Sequence, residues 1–297
     1  MNPVEVRGLA KSFGEVRAVC GIDLDVLPGE IVGFLGPNGA GKTTAIRCLL
    51  DLIRPTAGTL RLFGEDARRG GVRARRRVAY VPGELRLPPR ATAHELLHEV
   101  ARLRGDCDPV RRAELVGRLG LDPHRPAKTL STGNRRKVAL IAAFMTRADL
   151  LILDEPTSGL DPLLQQTFRE LVREAKGRGT AVLLSSHVLA EVQRTADRAV
   201  ILRQGRIIAE GTVADLRGRA AQRVEAVFAG PPPDLAAVPG VTDLAVDGQH
   251  VRARLSGPPG PLLAALARAD VTAVDIAEPD LDDAFRGLYD DRKEATL

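Results

Sequence analysis

A chain of 297 residues with 44% hydrophobic content is long enough for about two packed domains. Its net charge of +5, carried mostly by arginine, is a mild basic excess that bears on solubility and non-specific attraction and does not by itself imply a nucleic-acid partner. Three widely spaced cysteines, Cys20, Cys48 and Cys107, exclude a disulfide framework or a cysteine zinc pattern and point to a reducing compartment, the first 26 residues lack a signal peptide, and no apolar run nears the roughly 20 residues that cross a bilayer, so a soluble chain is expected.

Met1 to Val26 predicts two strands around a turn at Phe13 and Gly14. Phe13 has two readings: a plain core aromatic, or, ahead of a phosphate loop, a platform for adenine. Ile31 to Leu35 predicts a strand buried on both faces, and it runs into Gly36, Pro37, Asn38, Gly39, Ala40, Gly41, Lys42, Thr43 and Thr44. This stretch fits GxxxxGK[ST] between a strand and a predicted helix, Ala45 to Asp51, which is the context the motif requires. Glycines let backbone N–H groups close around phosphate oxygens, and the positive end of the helix points at the same anion. Lys42 then reaches the β- and γ-phosphates while the Thr43 hydroxyl holds Mg²⁺. The alternative is a glycine-rich turn, and a chance match arises in about one chain in a few hundred of this composition.

Further strands are expected at Thr59 to Phe63 and Val78 to Val81. Between them Arg68 to Arg77 carries six arginines with no interleaved aromatic, which suits a solvated face better than a nucleic-acid stripe. From Pro88 to about Leu119 the pattern is helical, broken near Gly105 and Pro109. Inside it His94, Glu95 and His98 fit HExxH, two histidines one turn apart with a base between them. A catalytic zinc needs a third ligand, and Glu99, Asp106 and Glu114 stand in no defensible spacing, so a surface helix is expected there.

Leu150 to Asp154 predicts a strand ending in Asp154 and Glu155, where one carboxylate can hold the Mg²⁺ shell and the next can take a proton from water. Upstream, Ser131 is a good N-cap with Gly133 just inside a helix, a second candidate anion site. Downstream, Ala181 to Leu184 runs into Ser185, Ser186 and His187. A lone histidine after a strand is usually structural, but this one ends a third strand carrying a polar group, and open α/β sheets bind ligands at that edge.

The ordered motifs GPNGAGKTT, LSTGN, LLILDEPTSGLDP and SSH resemble the nucleotide-binding domain of an ABC transporter, over about Val4 to Arg217. The resemblance implies ATP and Mg²⁺ as ligands and places Phe13 under adenine, Gly36 to Thr44 as the Walker A loop and Ser131 with Gly133 in the signature. By the same likeness Asp154 is the Walker B acid, Glu155 the catalytic base and His187 the switch histidine beside the γ-phosphate. Ser158 to Asp161 is then the D-loop, with Asp161 lining the nucleotide site. The signature departs from LSGGQ at Thr132 and Asn134. The glutamine expected after Tyr80, Val81 and Pro82 is replaced by Gly83, and the following Glu84 is the candidate oxygen donor to the metal. The chain is most similar to the ATP-binding subunits of bacterial ABC-2 type drug and antibiotic exporters.

The expected fold class is α/β, a P-loop ATPase core over residues 1–219 with a helical signature subdomain at about 84–148. A small α+β, ferredoxin-like module is expected over 220–297. In that tail Val224 to Phe228, Val241 to Val246, His250 to Leu255 and Val271 to Ala277 suit strands, with a hairpin at Asp247 and Gly248. Val213 to Arg219, Leu262 to Arg268 and Leu281 to Tyr289 suit helices, and Pro231 to Pro233 a loop. With one phosphate loop and one signature per chain, the resemblance implies ATP held between two such subunits, a homodimer, at the cytoplasmic face of the membrane beneath a separately encoded polytopic permease, with no nucleic-acid partner. The alternative is a soluble ABC ATPase acting on ribosomes or DNA, whose relatives commonly carry two cassettes or inserted modules not seen here. A GTPase is disfavoured because no NKxD motif occurs.

Overall fold

Alternating apolar positions set the first two strands. In the computed structural model, which describes residues 1–218 and 221–277, β1 (Val4–Phe13) and β2 (Val16–Val26) pair antiparallel, with Val4, Val6 and Leu9 facing the core beside Ile22, Leu24 and Val26. β3 (Ile31–Leu35) is buried along its whole length and leads through the phosphate loop to α1 (Lys42–Leu49). β4 (Ala57–Leu62) and β5 (Glu65–Asp66) return to the hairpin and complete a four-stranded sheet ordered β2-β1-β4-β5. After α2 (Gly71–Arg76) and β6 (Val78–Val81) come the helices α3 (Ala93–Arg104), α4 (Pro109–Arg118) and α5 (Thr132–Phe144). The unit closes with β7 (Leu150–Asp154), α6 (Pro162–Gly177), β8 (Ala181–Ser186), α7 (Leu189–Thr195), β9 (Arg198–Arg203) and β10 (Arg206–Thr212).

A second, six-stranded sheet has the order β10-β9-β3-β8-β7-β6, and β9, β3, β8, β7 and β6 run parallel. Parallel neighbours need long crossovers, and packed crossovers cover both faces, which is why these strands are continuously apolar. Along β7 the side chains divide between two cores: Leu150 and Ile152 join Phe34, Leu183 and the α1 residues Ile46 and Leu49, while Leu151 and Leu153 join Leu97, Leu140 and Phe168. The register sets Leu35 against Ser186 and Asp154 against Ser185. Hence the phosphate loop, the acidic pair and His187 all leave the sheet at one edge.

Local signals end the helices where expected. Gly105 takes the left-handed C-cap of α3, Asp108 caps α4 ahead of Pro109, and Ser131 caps α5 by accepting the Asn134 N–H. Two expectations need correction. α1 starts at Lys42, not Ala45, because Gly41 is itself the N-cap at φ 107° and Lys42 to Thr44 already turn helically. The arginine run is only partly a solvated face: Arg73 pairs with Glu65, Arg75 lies 3.6 Å from Asp51, and Arg77 pairs with Asp149 while stacking 3.7 Å over the Phe63 ring.

Contacts divide the chain into two units, Met1–Gly211 and Thr212–Leu297, upstream of the 219/220 boundary expected from sequence. The second holds α8 (Val213–Gly218), β11 (Gln222–Phe228), β12 (Val241–Asp247), β13 (His250–Leu255), α9 (Gly260–Leu266) and β14 (Val271–Ala277). Its antiparallel sheet, ordered β12-β13-β11-β14, buries Val224, Phe228, Val251 and Leu255 against Leu235 and the α9 residues Leu262 and Leu266. Asp247 pairs with His250 across a turn in which Gly248 takes φ 58°. The order βαββαβα, on which the expectation of a ferredoxin-like module rests, is not met between the first two strands. Residues 229–240 form no helix, since Pro231 to Pro233 lack the N–H groups a helix needs. The helix expected at Leu281 to Tyr289 lies outside the described residues.

Phe168 on α6 is fully buried and meets Phe144 of α5 edge-on at 6.3 Å. Phe168→Ala is expected to cost about 3–5 kcal/mol, read as an earlier denaturant midpoint for the larger unit. A loss below about 1 kcal/mol would show that this aromatic pair does not anchor the signature helix.

Candidate active site

The loop from Gly36 to Thr44 is shaped by close backbone approach. A Cβ on Gly36 would stand 2.3 Å from the Leu202 carbonyl oxygen, and one on Gly41 2.4 Å from that of Ala18. Pro37, Asn38 and Gly39 form an exposed crest, and Ala40 is buried beneath it. α1 opens without a side-chain cap, which leaves its first N–H groups for an anion. Lys42 is only 5% exposed, and its Nζ donates to Gly36 O at 2.6 Å and Pro37 O at 3.3 Å.

Asp154 ends β7 with no exposed surface. Its Oδ1 accepts from Ser185 Oγ at 2.5 Å and Thr43 Oγ1 at 3.2 Å. Its Oδ2 is buried with no hydrogen-bond partner among the described residues. An unsatisfied buried acceptor costs about 1–3 kcal/mol, and the space beside it is kept open by Gly83, where a Cβ would come within 3.1 Å of Oδ2. Thr43 and Asp154 are hard oxygen donors of the kind Mg²⁺ takes, and Mg²⁺ typically uses one or two carboxylates with phosphates supplying the rest. The residues present therefore fit that ion. Glu84 is exposed and makes no hydrogen bond or ion pair among the described residues.

Glu155 sits between a lysine and a histidine. Its Oε1 lies 3.3 Å from Lys42 Nζ and its Oε2 2.7 Å from His187 Nδ1. Its backbone is left-handed at φ 48°, held there by its N–H donating to both O and Oγ of Ser185. Such strain costs on the order of 1–3 kcal/mol and persists where surrounding contacts over-determine it. The arrangement aims the carboxylate between the lysine and the histidine at the loop mouth.

The other candidates make no hydrogen bond to this cluster among the described residues. Phe13 is 52% exposed at the end of β1, with Lys11 Nζ 4.6 Å above its ring, so the plain core reading does not hold. Ser131 and Gly133 stand against the turn Ser158 to Asp161, where a Cβ on Gly133 would lie 2.7 Å from Gly159 O. No hydrogen bond joins either residue to the phosphate loop among the described residues. Asp161 is exposed and caps α6 by accepting the Leu164 N–H. In the HExxH helix, Glu95 is committed to a capping box with Thr92, and His94 stacks on His98 and His124.

Four residues of the site carried no assigned role from sequence. Ser185 orients Asp154 and Glu155 together. Tyr80 is half-buried, and burial followed by the Asp154 charge pushes its phenol up to about 12. Glu191 on α7 accepts from Ser186 Oγ at 2.6 Å, and burial raises its carboxyl above the usual range. Arg136 on α5 is 5% exposed and donates to the carbonyls of Pro82 and Gly83. Arg136 stands in the basic triplet Arg135 to Lys137 ahead of an apolar run, so nothing in its spacing singled it out, and Ser185 stood next to a motif already noted.

A family model described as ABC transporter matches residues 19–158. The chain is 41% identical over 219 residues to the daunorubicin/doxorubicin resistance ATP-binding protein of Streptomyces peucetius, spanning 72% of this chain and 66% of that protein. It belongs to the ABC transporter ATP-binding proteins. A second ABC relative, the daunorubicin resistance ATP-binding protein DrrA3 of Streptomyces coeruleorubidus, is 35% identical over 98% of this chain and 97% of its own length, so that likeness includes the C-terminal unit. A solved structure of the ATP-binding subunit of an ABC transporter superposes with a TM-score of 0.67 at 32% identity, covering 72% of this chain and 91% of that one. As a member of this ABC family the protein is an ATPase.

Gly41→Ala is expected to weaken ATP binding at least tenfold, because a methyl group there combines a left-handed backbone strain of about 1–3 kcal/mol with a clash on Ala18 O. Isothermal titration with ATP checks it, and binding within error of the parent would remove Gly41 from the set of required glycines.

Proposed function

We propose that this chain is the ATP-hydrolysing subunit of a membrane exporter, working as one of two such subunits with a separately encoded permease and driving efflux of a drug or antibiotic. The observation that supports the chemistry best is Glu155 between Lys42 and His187, one residue from a buried Asp154 with an open oxygen. In this reading Lys42 and the loop N–H groups bind the β- and γ-phosphates, and Phe13 carries the adenine ring. Thr43 and Asp154 hold Mg²⁺, which when bound neutralises charge on the phosphate oxygens. Glu155 accepts the proton of the attacking water, and His187 orients that carboxylate and meets the γ-phosphate.

Ser131 and Gly133 make no hydrogen bond to the phosphate loop of their own chain among the described residues, which supports a site shared between two chains. The capped end of α5 then presents the Ser131 hydroxyl and the Gly133 N–H to the nucleotide of a partner, and Asp161 lies in the same turn. Efflux of a drug is supported by the resistance named for the relatives. Among the described residues no helix is long and apolar enough to cross a membrane, and in this reading the separate permease supplies that path.

Two experiments test this reading. Lys42→Ala is expected to lose ATP binding, whereas Glu155→Gln binds ATP and loses about 10²–10⁴-fold in turnover, the range of a general base. Normal hydrolysis by Glu155→Gln would remove the residue from the mechanism. For the shared site, Glu155→Gln with ATP and Mg²⁺ is expected to move from monomer toward dimer in the ultracentrifuge, and ADP is not. Each helix-end contact to the γ-phosphate contributes about 0.3–1 kcal/mol, up to about 2 when partly buried, and association is linked to ATP by mass action. Adding Ser131→Arg is expected to abolish the shift with ATP binding to the monomer kept. A Ser131→Arg protein that still dimerises with ATP would mean the site lies within one chain.

A further inference from the structure

One buried cation joins the helix that begins at the signature to the loop beside the metal site. Arg136 lies in the second turn of α5, and its guanidinium donates from Nη1 to Pro82 O at 2.5 Å and from Nη2 to Gly83 O at 2.7 Å. A rigid planar group giving two hydrogen bonds to successive carbonyls fixes the direction of that backbone as well as its position. Burial works against the charge of the guanidinium, and the charges of Asp154 and Glu155 oppose that effect, so the cation belongs to the electrostatic neighbourhood of both acids.

The carbonyl it holds is that of Gly83, the residue standing where the family pattern has glutamine. A Cβ at Gly83 would lie 3.1 Å from Asp154 Oδ2 and 3.4 Å from its Cγ, on the one oxygen of that carboxylate without a partner. A side chain at position 83 therefore crowds the oxygen left for the metal. Glu84 is exposed and makes no hydrogen bond or ion pair among the described residues. What reaches the loop from the helical subdomain is the Arg136 fork, across 53 and 54 residues of sequence.

We propose that Arg136 is a positioning residue that fixes, through the carbonyls of Pro82 and Gly83, the loop where the family pattern has a glutamine. It locks the Pro82–Gly83 loop beside Asp154 to the helix whose N-terminus carries Ser131 and Gly133, so the metal side of one site and the signature offered to the partner move as one body. Gly83 keeps the space beside the open carboxylate oxygen clear in this scheme, since a Cβ there would come within 3.1 Å of it and one of the two would have to give by a few tenths of an ångström. The proposal rests on the reading that the signature meets the nucleotide of a second chain.

The test uses the full chain with Arg136→Lys, which keeps the charge and loses the fork, with Arg136→Gln beside it, and with Gly83→Gln, which leaves Arg136 in place. Steady-state ATP hydrolysis is measured for each, and ATP-driven association is measured by ultracentrifugation in a Glu155→Gln background across a Mg²⁺ titration. For Arg136→Lys the expected result is an unchanged KM for ATP with kcat down about ten- to hundredfold, the usual effect of losing an outer partner of a metal site. The Mg²⁺ concentration for half-maximal association is expected to rise by a similar factor in both the Arg136→Lys and Gly83→Gln proteins. Folded Arg136→Lys with parental kcat and parental Mg²⁺ dependence overturns the proposal, as does a loss confined to thermal stability. If the Arg136 variants do not fold, Gly83→Gln decides: lower Mg²⁺ demand or faster turnover than the parent overturns the proposal. A Glu155→Gln parent that fails to associate with ATP brings down the shared-site reading and this proposal with it, and that outcome is separate from a parent that associates while its Arg136→Lys form does so equally well.

Discussion

Burial of the Asp154 carboxylate at the end of a central parallel strand is the constraint around which the site is built. A buried carboxylate is costly unless it is hydrogen-bonded or bound to a cation. Here one oxygen is satisfied by hydroxyls from two other segments, Ser185 of β8 and Thr43 of α1, and the second is left without a donor. That division needs β7 and β8 to be in register, since a slip of one residue would move every side chain to the opposite face. The two cores on either side of the sheet enforce the register. Leu150 and Ile152 belong to one core and Leu151 and Leu153 to the other, with no polar position to accept a slip.

From that anchor the next residue acquires its function. Glu155 leaves the strand with a left-handed backbone, pinned by two hydrogen bonds to Ser185, and its side chain turns away from the metal side toward Lys42 and His187. Adjacent acids thereby face different tasks, one at a buried oxygen and one at the loop mouth between two groups able to carry positive charge. The same Ser185 serves both, so the geometry of the pair is set by a residue with no ionisable group. Close approach explains the glycines around the cluster in the same terms. Gly36 and Gly41 are pressed on carbonyl oxygens of Leu202 and Ala18, and Gly83 faces the open oxygen of Asp154.

The second unit shows how far element order carries. Four strands formed where alternation placed them, and the Asp247–His250 hairpin closed on Gly248 as its sequence requires. The order βαββαβ did not follow, because three successive prolines after β11 cannot make a helix. The sheet is closed there instead by a loop that buries Leu235 in the core.

What the sequence alone determined was whatever obeys a local rule. The glycine spacing before Lys42, the Ser131 cap, the breaks at Gly105 and Pro109 and the four apolar residues before Asp154 act within a turn or a strand, and each was legible in order. Tertiary structure decided everything that depends on contact between distant segments. The exposure of Phe13, the Ser185 and Thr43 donors to Asp154, and the Arg136 fork on Pro82 and Gly83 join positions 31 to 111 residues apart or depend on what packs nearby. A side chain's partners across the fold are fixed by strand register and helix packing, and neither is written in the spacing of neighbours along the chain.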